Sequence, residues 1–115
     1  MKREYLDYVQ DILDSMNDVE AFTRGMDFPE FEQDRKTTNA VVRSLEIIGE
    51  AAKKIPDEIK EKYGNIPWKN IAGMRDKLIH EYFGVDEEIV WKVAREEIPA
   101  LKSSVQKLFA DLDRK

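Results

Sequence analysis

Arg75-Asp76-Lys77-Leu78-Ile79-His80-Glu81-Tyr82-Phe83 holds the side chains best suited to chemistry. His80 is the single histidine among 115 residues. An imidazole, with an unperturbed pKa of about 6.5, can both take and give a proton near neutral pH. Arg75 is permanently cationic, and its planar guanidinium can bind a phosphate through two hydrogen bonds. A proton handler with an anion clamp is what phosphodiester cleavage needs when no metal is present.

The spacing predicts that these residues lie on a helix over residues 72–83, marked by Ile71, Met74, Leu78 and Tyr82 and stopped at Gly84. Each helical residue turns the chain by about 100°, so Arg75 and His80 would sit about 140° apart and off a common ridge. Asp76, four residues before His80, would share its ridge, accept a hydrogen bond from the ring and fix its tautomer. Tyr82 offers a hydroxyl or a stacking ring. Two routes bring arginine and histidine together: a loosening of the helix near Gly84, or a second subunit that sets its own copy of the motif alongside across a two-fold axis. A purely structural role competes with this reading. His80 would then favour the dipole at a helix C-terminus, and Arg75 and Asp76 would join surface ion pairs.

The elements that must position the motif read as helical nearly throughout. Tyr5, Val9, Ile12, Met16 and Val19 form one face of a first helix, with Gly25 as its C-terminal cap and a short helical turn near Pro29. Phe28 and Phe31 are expected to fold back onto the core. A helix over residues 33–54 carries Val41, Leu45, Ile48, Ala52 and Ile55 on one stripe, with Val42 and Ile47 hinting at a second packing surface. Gly49 inside it predicts the close approach of another backbone. Asp57 is expected to cap a short helix that Gly64 stops, Pro67 to start another, and Asp86 to cap the last. The final stripe, from Val90 to Leu112, keeps one phase across Pro99, where a kink or brief break is expected. The sum is an all-α, up-and-down bundle of four to five helices in a single domain over residues 1–115.

Composition narrows the function. With 42% hydrophobic and 37% charged residues, the chain is neither a membrane protein nor a disordered one. No apolar run approaches the roughly 20 residues needed to cross a bilayer, and residues 1–7 lack an apolar signal core. A cytoplasmic protein is the simple expectation. A net charge of −5 argues against a general nucleic-acid coat but leaves room for a local cationic site. One histidine and no cysteine leave only carboxylates for metal binding, so neither a metal nor a cofactor is expected. Trp68 and Trp91 read as core anchors, and Glu46 and Glu50, with Arg43, Lys53 and Lys54, as a solvated face.

Leu45-Glu46-Ile47-Ile48-Gly49-Glu50-Ala51-Ala52, Ile66-Pro67-Trp68, Gly73-Met74-Arg75-Asp76 and His80-Glu81-Tyr82-Phe83, in that order, resemble the HepT-like proteins, toxins of a bacterial and archaeal toxin–antitoxin system. The resemblance implies a HEPN-type homodimer and a metal-independent endoribonuclease toxin of the type VII class. It places Arg75 and His80 as the catalytic pair at a composite dimer site, Asp76 as the supporting polar residue, and Tyr82 as the tyrosine that receives AMP. The implied partners are RNA and a minimal, MntA-like nucleotidyltransferase antitoxin, with no membrane involved. The alternative is a non-catalytic helical dimer that serves as an interaction module or nucleotide-binding partner of that nucleotidyltransferase.

Overall fold

A computed structural model describes residues 2–74, 76, 79–80 and 84–114; at residues 2–4, Ile79 and His80 it describes the backbone. The expected face of the first helix is the buried one. In α1 (Lys2–Thr23), Val9, Ile12, Met16 and Val19 are fully buried. Thr23 turns its hydroxyl back to the Val19 carbonyl at 3.0 Å, and Gly25 then adopts a left-handed φ of +77°. Asp27 opens α2 (Phe28–Gln33) with a full capping box: its carboxylate accepts the Glu30 N–H at 2.9 Å, and Glu30 accepts the Asp27 N–H at 3.0 Å. Phe31 is buried and Phe28 packs beside it, as expected.

The helix expected over residues 33–54 begins later. Gln33 closes α2, and Asp34, with non-helical φ and ψ, separates it from α3 (Arg35–Lys53). The carboxylate of Asp34 accepts the Thr37 N–H at 3.0 Å and its hydroxyl at 2.7 Å. The Thr38 hydroxyl reaches back to the Phe31 and Asp34 carbonyls, tying α2 to α3. Val41, Leu45, Ile48 and Ala52 are fully buried against α1. A β-carbon placed on Gly49 would stand 3.2 Å from the Ala72 carbonyl oxygen, so this glycine does mark the expected close backbone approach.

That approaching backbone is α5 (Trp68–Ala72), reached through α4 (Asp57–Lys62). Pro56, not Asp57, is the N-cap of α4; Asp57 sits in its first turn, where its charge suits the dipole. Pro67 likewise occupies the N-cap of α5. Trp68 is buried and donates its indole N–H to the Tyr63 carbonyl at 3.1 Å.

After α5 come β1 (Ile79–His80) and β2 (Gly84–Val85), then α6 (Glu87–Lys92), a π-helical segment (Val93–Glu97) and α7 (Ile98–Arg114). Asp86 caps α6 as expected, accepting the Ile89 N–H at 3.2 Å. The break expected at Pro99 takes the form of the π-helical segment just upstream. Proline has no N–H, and its ring crowds the carbonyl four residues back; the wider π turn makes room there. The stripe absorbs the extra residue by burying Val93 and Ala94 together. The fold is all-α apart from the short β1–β2 pair, with α1 packed against both α3 and α7. Among the described residues no helix is long and apolar enough to cross a membrane.

Candidate active site

The motif emerges from α5. Gly73 caps that helix, its N–H donating to the Lys69 carbonyl at 2.9 Å. Met74 is helical and buried, and Asp76 is helical and exposed, its N–H bonded to the Gly73 carbonyl at 3.1 Å. Helix does not continue to residue 83 as expected. By Ile79 and His80 the chain is extended and pairs antiparallel with β2, Ile79 opposite Val85 and His80 opposite Gly84. A helical ridge from Asp76 to His80 is therefore absent, and a helical offset no longer describes Arg75 and His80. The chain does depart from helix, and it does so before Gly84. Arg75 and Tyr82 lie outside the described residues, as does the His80 side chain.

Two features hold β2 in place. Val85 packs against the core, and Asp86 ties the following residues to the N-terminus of α6. Between them and β1, Gly84 takes a φ of +77°. Residues opposite one another in an antiparallel pair have Cα atoms about 4.5–5.5 Å apart, so the His80 backbone is held directly beside Gly84. Beyond β2 lies a cleft of about 480 Å³, lined by Glu32, Arg35, Thr38, Asn39, Gly84, Val85 and Glu87. Arg35 and Asn39 carry no signal in the sequence: both occupy exposed positions on α3, where polar residues form no distinguishing pattern.

The remaining candidates have structural roles. Trp91 stands 5.1 Å from the Phe31 ring and under the Arg95 guanidinium at 5.4 Å, while Trp68 is buried; both act as packing anchors. Arg43 and Glu50 form an open ion pair at 3.8 Å, the solvated face expected of them. The Asp34 carboxyl is held below its ordinary pKa by the Thr37 backbone and side-chain hydrogen bonds. Among the described residues no cluster of three histidine, cysteine, aspartate or glutamate side chains could share a metal ion.

A helical domain interrupted by a strand pair that carries the motif histidine matches a known family model, described as ribonuclease HepT-like, over residues 12–108. A protein of Thermococcus cleftensis named "Probable ribonuclease HepT" is 51% identical over 94% of this chain and 98% of its own length. Two proteins of Methanocaldococcus jannaschii, each provisionally named an RNase, are similar over nearly the whole chain. One is 51% identical, covering 99% of this chain and 98% of its own. The other is 50% identical, covering 99% and 94%. The chain belongs to the ribonuclease HepT-like family. No solved structure matches it.

Proposed function

We propose that this protein is a metal-independent endoribonuclease, the toxin of a type VII toxin–antitoxin pair. The observation that carries the reading is that the family match spans the whole Arg75-x4-His80-x-Tyr82 motif, so the residues suited to phosphodiester chemistry fall within the matched domain. His80 acts as general base on the ribose 2′-hydroxyl. The 2′-oxygen attacks the adjacent phosphorus, the O2′–P bond forms, and the P–O5′ bond breaks. The 5′-oxygen leaves with a proton, and the products are a 2′,3′-cyclic phosphate and a 5′-hydroxyl end. Arg75 stabilises the charge that builds on the phosphoryl oxygens. Asp76, exposed at the start of the segment, is the supporting polar group. DNA lacks the attacking hydroxyl and resists cleavage.

The site is composite: two protomers bring their motifs together across a two-fold axis. Silencing is covalent. A minimal nucleotidyltransferase moves AMP from ATP to the Tyr82 hydroxyl and releases pyrophosphate. The added phosphate occupies the Arg75 clamp and repels RNA.

Purified protein assayed on RNA with EDTA present tests the reading. His80→Ala is expected to lose about 10²- to 10⁴-fold in rate, with Arg75→Ala also impaired. Equal cleavage by all three proteins would dispose of the assignment. Intact-mass measurement after incubation with ATP and the nucleotidyltransferase should show AMP on wild type and none on Tyr82→Phe.

A further inference from the structure

The structure assigns Gly84 a role that sequence treats as a mere helix stop: it is a positioning residue that sets the backbone of His80. The inference rests on the reading of His80 as the catalytic imidazole. The geometry leads from the core outward. Residues 87–114 form one helical rod seated on the core through Val90, Val93, Ala94, Ile98, Val105, Leu108 and Leu112. Asp86 fastens the start of that rod, and Val85 packs on the core beside it. The next residue back is Gly84, whose backbone lies opposite His80 in the strand pair. Gly84 is thus the first residue outside this anchored segment, and it is the one paired with His80.

Those dihedrals need glycine for one reason. A φ of +77° is a conformation L side chains rarely adopt. Among the described residues space is not the reason, because a β-carbon built at Gly84 meets none of their atoms within 4 Å. Gly84→Ala therefore adds conformational strain and no collision with a described residue. Gly25 provides a matched control: it has the same φ of +77°, and its β-carbon also meets nothing within 4 Å, but it lies between α1 and α2, distant in sequence from the motif.

The experiment compares wild type, Gly84→Ala, Gly84→Asn, Gly25→Ala and His80→Ala in the full chain. For Gly84→Ala we expect kcat on RNA to fall by up to about 5- to 30-fold, the factor by which such strain shifts an equilibrium away from the paired strands, with KM changed less than kcat. Gly84→Asn should regain most of kcat, because asparagine tolerates this region better than alanine. Gly25→Ala should lower the melting temperature about as much as Gly84→Ala does and keep kcat. A Gly84→Ala protein with wild-type kcat, or one that loses no more than Gly25→Ala, would overturn the proposal. The sole histidine supplies a readout independent of cleavage, since one imidazole spin system appears in the NMR spectrum. Its resonances should move in Gly84→Ala and stay in place in Gly25→Ala; unmoved resonances in Gly84→Ala would overturn positioning even in a protein that cleaves nothing. Cleavage retained by His80→Ala would defeat the functional reading instead and leave the NMR comparison to decide the role of Gly84.

Discussion

Gly25-Met26-Asp27 and Gly84-Val85-Asp86 are the same local device at two points of the chain. Each has a glycine at φ +77°, then an apolar residue packed on the core, then an aspartate that caps a helix through the backbone N–H of its third residue. Their upstream neighbours differ. Gly25 follows a 22-residue helix whose last turn is closed by Thr23. Gly84 follows a paired strand that carries His80. The first glycine therefore lies between two helices, whereas the second lies in β2 opposite His80. Identical turn chemistry thus has a structural consequence in the first place and, on the proposed reading, a catalytic one in the second.

The largest test of that contrast is Phe31→Ala. Phe31 is fully buried just past the first turn and packs on Trp91. Its truncation is expected to cost about 3–5 kcal/mol of stability. Cleavage per folded molecule should stay close to wild type, measured as specific activity corrected for the folded fraction by circular dichroism. A large loss of kcat in the folded fraction would show that the two turns are coupled through the core.

A smaller effect is expected from the matched pair Asp27→Ala and Asp86→Ala. Each removes a cap worth about 1 kcal/mol, so denaturant midpoints should fall alike. Only Asp86→Ala should also slow RNA cleavage, because it frees the anchor of β2. Equal cleavage by the two variants would erase the distinction.

The smallest effect concerns Asp34, which caps α3 where α2 ends. Its folded pKa is depressed, so its contribution to stability is complete above the ordinary value of 3.8 and is lost as pH falls through the folded value. Asp34→Asn keeps a capping oxygen without the titration. Its melting temperature should decline less steeply below about pH 3.8 than that of wild type. Matching slopes would remove Asp34 as the cause.

The helices were legible where an apolar stripe ran for several turns. Val9, Ile12, Met16 and Val19 could be assigned to one face, and Val90 to Leu112 to another, because burial on one side forces that period. Gly49 and Asp86 were legible too, since each has a direct physical cost or signature. The strand pair was not. Ile71, Met74, Leu78 and Tyr82 fit helical spacing, and a two-residue strand is too short to show alternation. Tertiary anchoring by Val85 and Asp86, with the left-handed Gly84, overrode the local pattern. Pro99 announced a disturbance, but the sequence did not say that it would be a π turn. At the site, residue types and order were readable, whereas the extended backbone of His80, which removes the ridge shared with Asp76, came only from the fold.

The central claim is that His80 drives attack by a ribose hydroxyl. Mass analysis of the ends produced from an oligoribonucleotide tests it most directly, with His80→Ala run alongside. We expect 2′,3′-cyclic phosphate and 5′-hydroxyl ends from wild type and intact substrate from the variant. The same fragments from both proteins, or 5′-phosphate ends from wild type, would contradict it.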